Sequence, residues 1–337
     1  MKNNRNDFSE LLTSFFARYL PGQRGVSSNT IKTYRDTFIL FLRYLKEKGK
    51  IRPEKFSFEL FDSELIERFL EWLENDKGNT VSTRNNRLAA IHAFVKYAMM
   101  KNPEFMEYCR KILAIRSKKT ELKPPVYLSI EELKCILAKP DKKTNHGIRD
   151  LALLSLLYDS GARVQELIDL RWRDLRMEAP ATITLKGKGN KSRIVPIMPD
   201  TAKIISCYMK SLRQATLDEP IFTNQSGNKL SRSGVGYIIE KYILIAGHDL
   251  PSIKEKKISA HSYRHSKGMH LTQADVNIIY IRDLLGHSSV QVTERYARAD
   301  TRAKRKALEN ASKNILPEST YSKEKEEELM TFLKELI

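Results

Sequence analysis

Two adjacent prolines, Pro124 and Pro125, follow a charged run in RSKKTELKPPVYLS, residues 116–129. No helix continues through them, because each lacks a backbone donor and its ring collides with the preceding turn. They divide a chain of 337 residues, longer than a single hydrophobic core usually grows (about 250–300 residues). The expected organisation is a helical domain over 1–115, a linker over 116–127, a mixed domain over 128–315 and a tail over 316–337.

Before the break the pattern is helical. In SSNTIKTYRDTFILFLRYLKEKG the apolar positions Ile31, Tyr34, Phe38, Phe41, Leu42 and Leu45 recur at helical spacing, Ser28 or Asn29 can cap the start and Gly49 ends it. ELIERFLEWLENDKGN repeats the design with Leu65, Phe69, Trp72 and Leu73, and STRNNRLAAIHAFVKYAMMKNP places Leu88, Ile91, Val95 and Ala98 on one face. These aromatics read as core, and His92 as a tolerated helix residue.

After the break, ATITLKGKGNKSRIVPI alternates apolar and polar residues on both sides of a Gly-Lys-Gly-Asn turn, a hairpin signal. The rest reads as helix and loop, without internal repeats. The tail differs in charge: residues 317–337 carry six Glu and three Lys, and Leu329, Phe332, Leu333 and Leu336 fall at helical spacing. An acidic amphipathic helix on a basic chain suggests a docking element.

The charge balance points to a polyanionic partner: 59 Lys plus Arg against 41 Asp plus Glu give +18 and a pI near 9.6. The basic residues are spread along the chain instead of forming one polybasic helix, which favours nucleic acid over a membrane surface. No run of about 18 apolar residues and no signal-peptide pattern is present. The three scattered cysteines, Cys109, Cys135 and Cys207, give no disulfide framework or zinc finger. A cytoplasmic, nucleoid-associated protein is expected.

Four stretches of the second domain hold polar residues that packing does not require. In LLSLLYDSGARVQEL, Gly161 supplies a sharp turn ahead of Arg163. The hairpin LKGKGNKSR brings Lys186, Lys188, Lys191 and Arg193 near its tip, where glycines let the backbone approach a phosphate. SAHSYRHSKGMHL sets His261 and Arg264 at i and i+3, with Ser259 as cap. His261 and His265 have the spacing of a metalloprotease pair, but Ser262 stands where the catalytic glutamate would be, so zinc is not expected. LLGHSSVQVTERYARAD places Tyr296 nine positions after His287.

Each stretch alone is ordinary; the set suits attack on a phosphodiester. The transition state gathers charge on oxygens that two guanidinium forks can hold without losing a proton. A lysine suits the leaving alkoxide and histidines suit proton transfer. A tyrosine needs cationic neighbours to act as nucleophile, since its free pKa is about 10, and the resulting phosphotyrosine would conserve the bond energy for rejoining. Neither metal nor ATP is required by such chemistry.

Arg163, Lys188, His261-x-x-Arg264, His287 and Tyr296, in this order, resemble the tyrosine recombinases of the phage integrase family across the second domain. The resemblance rests on GARVQEL, GKGNKSRIVPI, HSYRHS and LLGHSSVQVTERYAR. NTIKTYRDTFILFLRYL and TRNNRLAAIHAFVKYA are similar to the family's helical core-binding domain. The implied fold is mainly α: an N-terminal helical, SAM-like core-binding domain and an α+β catalytic domain of the DNA breaking-rejoining type with a small antiparallel sheet, together clamping DNA. By the same resemblance Arg163 and Arg264 would hold the scissile phosphate, Lys188 would protonate the 5′-oxygen, and His261 and His287 would assist proton transfer. Tyr296 would form the 3′-phosphotyrosyl bond and Glu166 would brace the site. Arg84 and Arg87, with Lys191 and Arg193, are candidate DNA contacts. Tyr263 and Ser266-Lys267-Gly268 depart from the family's usual leucine and Thr-Phe-Ala, and the segment after Tyr296 is similar to transposon-encoded members. The implied partners are double-stranded DNA with inverted-repeat core sites, further copies of the chain docked through the tail in a dimer or tetramer, and sibling recombinases. Type IB topoisomerase-like relaxation and a catalytically idle DNA-binding regulator are the alternatives.

Overall fold

Five α-helices make up the first unit, Met1–Leu122, among the described residues. They are α1 (Asp7–Ser14), which runs on as a wider helical segment Phe15–Gln23, α2 (Ser28–Glu47), α3 (Ser63–Asn75), α4 (Val81–Lys101) and α5 (Met106–Ala114). The structure, a computed structural model, describes residues 7–52, 56–120, 124–187, 189, 191–212, 216–299 and 330–332. Capping hydroxyls and carboxylates set the helix starts: Asp62 accepts from the Leu65 N–H and Thr80 from the Thr83 N–H. At α2 the cap is Ser27, whose side chain accepts from the Thr30 N–H, in place of the expected Ser28 or Asn29. Both of those residues lie inside the helix.

The core of this unit is aromatic. Phe8 meets Phe41, Phe56, Phe61 and Phe94 with ring centroids 4.8–6.3 Å apart. Each such ring contributes about 1.5–3 kcal/mol by burial, so this cluster and not helix propensity holds α1 onto the other helices. His92 bonds the Ile112 carbonyl at 3.0 Å, linking α4 to α5.

Arg84 and Arg87, expected as phosphate contacts, are committed to hydrogen bonds within this unit. Arg84 is buried and donates to the Arg116 carbonyl and Asn85 Oδ1, each at 3.2 Å. Arg87 donates to the Thr33 carbonyl and Thr37 Oγ1, each at 3.1 Å, tying α4 to α2. A guanidinium can donate in several in-plane directions, and here those donors satisfy backbone carbonyls between segments. Asn85 also exchanges bonds with the Lys118 backbone, so the start of the proline-containing connector lies against α4.

The second unit, Lys123–Ile337, wraps helices around α7 (Asn145–Ser160), whose residues from Leu151 to Leu157 are all buried. Helices α6 (Ile130–Leu137), α9 (Pro199–Ser211) and α11 (Ala260–Gln273) pack on it, and the unit also contains α8 (Val164–Ile168), α10 (Arg232–Asp249), α12 (Ile278–Leu285) and α13 (Val290–Ala299). Strands β1 (Leu175–Arg176), β2 (Thr182–Lys186) and β3 (Ser192–Pro196) form an antiparallel sheet in the order β1-β2-β3, with Thr184 opposite Ile194 and Lys186 opposite Ser192. The alternation read from the sequence sends Ile183, Leu185 and Val195 into the core. Leu128, just past the prolines, is buried and its N–H donates to Ser266 Oγ at 2.8 Å, anchoring the unit's start on α11.

A smaller apolar cluster of Met269, Ile281, Leu285 and Tyr296 joins α11, α12 and α13. No helix among the described residues is long and apolar enough to cross a membrane. The expected tail helix lies outside the described residues except for 330–332, a helical turn.

Candidate active site

Two glycine turns organise the site. Helix α7 ends at Gly161 and α12 at Gly286, both left-handed, with φ of +56° and +63°. A side chain there would be strained in backbone and would meet Leu285 Cδ2 at 2.5 Å or the Arg193 guanidinium at 2.7 Å. The carbonyls exposed at these helix ends are partial negative charges, and two arginines sit on them. Arg264, from α11, donates to the Gly161 carbonyl at 2.7 Å and to the Leu285 carbonyl. Arg163 donates to the Gly286 carbonyl at 3.1 Å and to Glu166 Oε1 at 2.7 Å. Each guanidinium is thus held from behind, with further N–H groups left to bind an anion.

Arg264 is only 2% exposed. Burial, then repulsion from Arg163, lowers its pKa to about 10, so it stays cationic at neutral pH. Glu166 explains how so much positive charge is tolerated. It receives the Arg163 backbone N–H and side chain and both terminal nitrogens of Arg193, at 2.7–3.1 Å. Burial pushes its carboxyl up, but the Arg193 and Arg163 bonds outweigh that and hold it at about 2. Arg193 also donates through Nε to the Leu284 carbonyl at 2.9 Å. Expected as a DNA contact, Arg193 is instead turned inward, because its fork is committed to Glu166 and to the end of α12. Lys191 is exposed on the hairpin and lines a cavity of about 580 Å³ with Arg163, Arg193, Gly286 and His287. Lys186, also on the hairpin, pairs with Asp174 at 3.4 Å. Lys188 lies outside the described residues.

Tyr296 comes from α13 and is 1% exposed. Its ring rests on Gly268 of α11, where a Cβ would come within 2.6 Å of Cε2. Its hydroxyl meets His265 Nδ1 at 3.0 Å. Burial raises the phenol's pKa, partly offset by Arg264 and Arg295. The His287 ring lies nearly parallel to the Tyr296 ring at 6.2 Å, and its Nδ1 bonds Thr293 Oγ1 at 2.8 Å. Burial, with Arg264 and Arg163 next, lowers the His287 pKa to about 3. His261 is exposed, with its ring edge-on to His265 at 5.2 Å.

The structure therefore holds Arg163, Arg264 and His287 at the two glycine turns and packs Tyr296 on Gly268 beside the His287 ring, with Glu166 behind the arginines and His261 beside His265. In the sequence His265 has only the spacing of half a metal pair, although its place one residue after Arg264 and four after His261 puts it on the same helix turn. Arg193 as the second partner of Glu166 and Thr293 as the partner of His287 carried no local signal, since both pairings depend on tertiary packing. Among the described residues no group of three or more His, Cys, Asp or Glu is placed to hold a metal ion.

Residues 127–302 match the phage integrase family and residues 14–102 match the phage integrase N-terminal SAM-like domain. The chain is 36% identical over 303 residues to an integrase/recombinase of Sinorhizobium fredii, covering 90% of this chain and 91% of that protein. It is 32% identical over 291 residues to the tyrosine recombinase XerC of Syntrophus aciditrophicus, covering 83% and 90%. Among solved structures, XerH site-specific recombinase bound to its difH substrate shares the fold, with a TM-score of 0.65 at 24% identity over 91% of this chain and 89% of that one. The Tn1549 transposon integrase in complex with circular intermediate DNA gives 0.66 at 17% identity over 89% and 99%. With both units matched, and with relatives aligned along most of their length, the chain belongs to the phage integrase family, the tyrosine recombinases.

Proposed function

We propose that this chain is a site-specific DNA recombinase that cuts and rejoins DNA through a 3′-phosphotyrosyl bond to Tyr296. The observation that carries this reading is that Arg163, Arg264 and His287, from separate segments of the second unit, meet at the two glycine turns, with Tyr296 packed beside the His287 ring. A phosphodiester seated there receives N–H groups from two fixed guanidiniums, which stabilise the charge that develops on its nonbridging oxygens. The Tyr296 hydroxyl attacks phosphorus, and Lys188 on the hairpin protonates the departing 5′-oxygen. His287 donates to the phosphate, and His261 supports the adjacent His265 ring. Because the phosphotyrosine retains the energy of the broken bond, another 5′-hydroxyl can displace it without metal or ATP.

The substrate is double-stranded DNA carrying inverted-repeat core sites, exchanged by way of a Holliday junction, and the role is integration or excision of a mobile element. The protein works as a dimer or tetramer on DNA, joined through the acidic tail, and accepts sibling recombinases in that assembly. The division of labour is core-site binding by residues 1–115, a linker over 116–127 and catalysis by 128–315. The compartment is the cytoplasm, at the nucleoid. Supporting the DNA reading are the net charge of +18 and the exposed Lys191 beside the cavity.

The test begins by selecting a binding site from random-sequence duplexes and placing a nick beside its scissile position. Incubated in chelator, the wild-type protein is expected to form an SDS-resistant adduct that Tyr296→Phe does not form. Binding without any adduct would instead favour an idle DNA-binding regulator. Relaxation of plasmids lacking the site would favour a topoisomerase.

A further inference from the structure

The Tyr296 hydroxyl meets a histidine other than the two that the motif suggests. Among the described residues, the hydrogen bond of the Tyr296 hydroxyl goes to Nδ1 of His265, at 3.0 Å. Neither His261 nor His287 is bonded to it; His287 has its Nδ1 on Thr293, and His261 lies edge-on behind His265. A buried hydroxyl without an acceptor costs about 1–3 kcal/mol, so the phenol donates and the Nδ1 lone pair accepts. The His265 proton is then on Nε2. This polarity leaves the oxygen's lone pairs free to face phosphorus.

We propose that His265 is the catalytic base that takes the phenolic proton of Tyr296 during strand cleavage and returns it during rejoining. The inference rests on the recombinase reading above. In the forward step the Tyr296 O–H bond breaks and its proton passes to His265 Nδ1 while the new O–P bond forms. The P–O5′ bond breaks with its electron pair leaving on O5′, which takes a proton from the hairpin lysine. Rejoining reverses each transfer: the incoming 5′-hydroxyl gives its proton to the lysine, and the departing phenolate recovers its own from His265.

Substrate binding strengthens this base. Without DNA, burial and then the positive surroundings of His261, Arg295 and Arg264 lower the His265 pKa to about 4, which keeps its lone pair free at neutral pH. A bound phosphate offsets the cationic contribution, so the ring gains proton affinity as the scissile group arrives. The tyrosine therefore stays a neutral phenol until DNA is in place. Helix α11 supplies three parts within about one turn: Arg264 for the phosphate, His265 for the proton and Gly268 for the seat of the ring.

The test compares single-turnover adduct formation on the nicked duplex by wild type, His265→Ala and His265→Asn. Asn can accept the phenol's hydrogen bond through Oδ1 but cannot carry the proton. A base role predicts that both variants lose about 10²-fold or more at pH 7 while binding the same duplex. It also predicts that the Asn variant recovers at least tenfold by pH 9.5, or on replacing Tyr296 with a fluorinated tyrosine of lower pKa. Near wild-type cleavage by His265→Asn, or a defect that neither high pH nor the fluorinated tyrosine relieves, overturns the assignment. If His265→Ala fails to fold, the Asn variant with and without the fluorinated tyrosine decides alone. No adduct from wild type would instead indict the recombinase reading, so the two failures are distinct.

Discussion

The ring of Tyr296 lies against the backbone of Gly268, with the position of a Cβ at residue 268 only 2.6 Å from Cε2 and 2.7 Å from Cζ. That spacing is closer than any methyl group tolerates, so the absence of a side chain at 268 allows α13 to lie down on α11. Gly268→Ala should push the ring outward and break its bond to His265. A displacement of about 1 Å can cost roughly 10²-fold in rate. Single-turnover adduct formation is expected to fall by that order while affinity for the same duplex changes less than about threefold. An Ala variant that cleaves like wild type would show that the ring can shift without leaving its productive position.

Arg264 spans two helix ends through one planar group, donating to Gly161 and Leu285. Lysine has one ammonium and no fork, so Arg264→Lys cannot serve both carbonyls and the phosphate together. Loss of adduct formation by at least 10²-fold is expected, together with a lower melting temperature. Calorimetry beside the cleavage assay checks both. Arg163 lies nearer the surface, and Arg163→Lys should impair cleavage with less loss of stability.

Glu166 neutralises Arg163 and Arg193 together. Breaking a buried pair by removing one partner costs about 3–5 kcal/mol. Here a loss of about 2–3 kcal/mol is expected for Glu166→Gln, because the Arg163 side chain is 37% exposed and water compensates part of its charge. Urea unfolding at pH 7 provides the measurement. Arg193→Ala is expected to destabilise the protein in the same assay while changing DNA affinity little, in keeping with its inward direction.

Acid should weaken the fold through three groups that act with the same sign. His265 and His287 have folded pKa values lowered to about 4 and about 3, each from 6.5, so between those values the unfolded chain binds more protons. Glu166 is lowered from 4.5 to about 2, which adds the same slope between those limits. Stability is therefore fully present above about pH 6.5, falls progressively below it and continues to fall towards pH 2. Melting temperatures from pH 7.5 to 4 should decline through the histidine window, and His287→Gln should flatten the decline. A flat profile in the wild type would contradict the neutral, buried state of these rings.

Much of this architecture is legible locally. The proline pair, the helical periodicity around Phe38, Phe41 and Leu45, and the hairpin about Gly187 and Gly189 each depend on neighbours within a few residues. The turns at Gly161 and Gly286 are equally local, and they announce where the arginines and His287 will be held. The α2 cap falls at Ser27, before the expected Ser28 or Asn29, because all three offer a capping oxygen and only the path of the chain selects one. Arg84, Arg87 and Arg193 show the limit of reading charge from sequence. An arginine destined for phosphate and one destined for a carbonyl or carboxylate within the fold are written alike.

By itself the sequence determined the kinds of groups available: two arginines, a hairpin lysine, three histidines and a tyrosine, spaced by helices and glycine turns whose geometry is set over short range. Only the tertiary structure decided which groups meet. Tyr296 reaches His265 across 31 residues, and Arg163 reaches the Gly286 carbonyl across 123. Both meetings follow from α12 and α13 packing on α11 through Met269, Ile281 and Leu285. Apolar packing of that kind is non-directional and cooperative, so its register emerges from the assembled core and not from any stretch of residues within it.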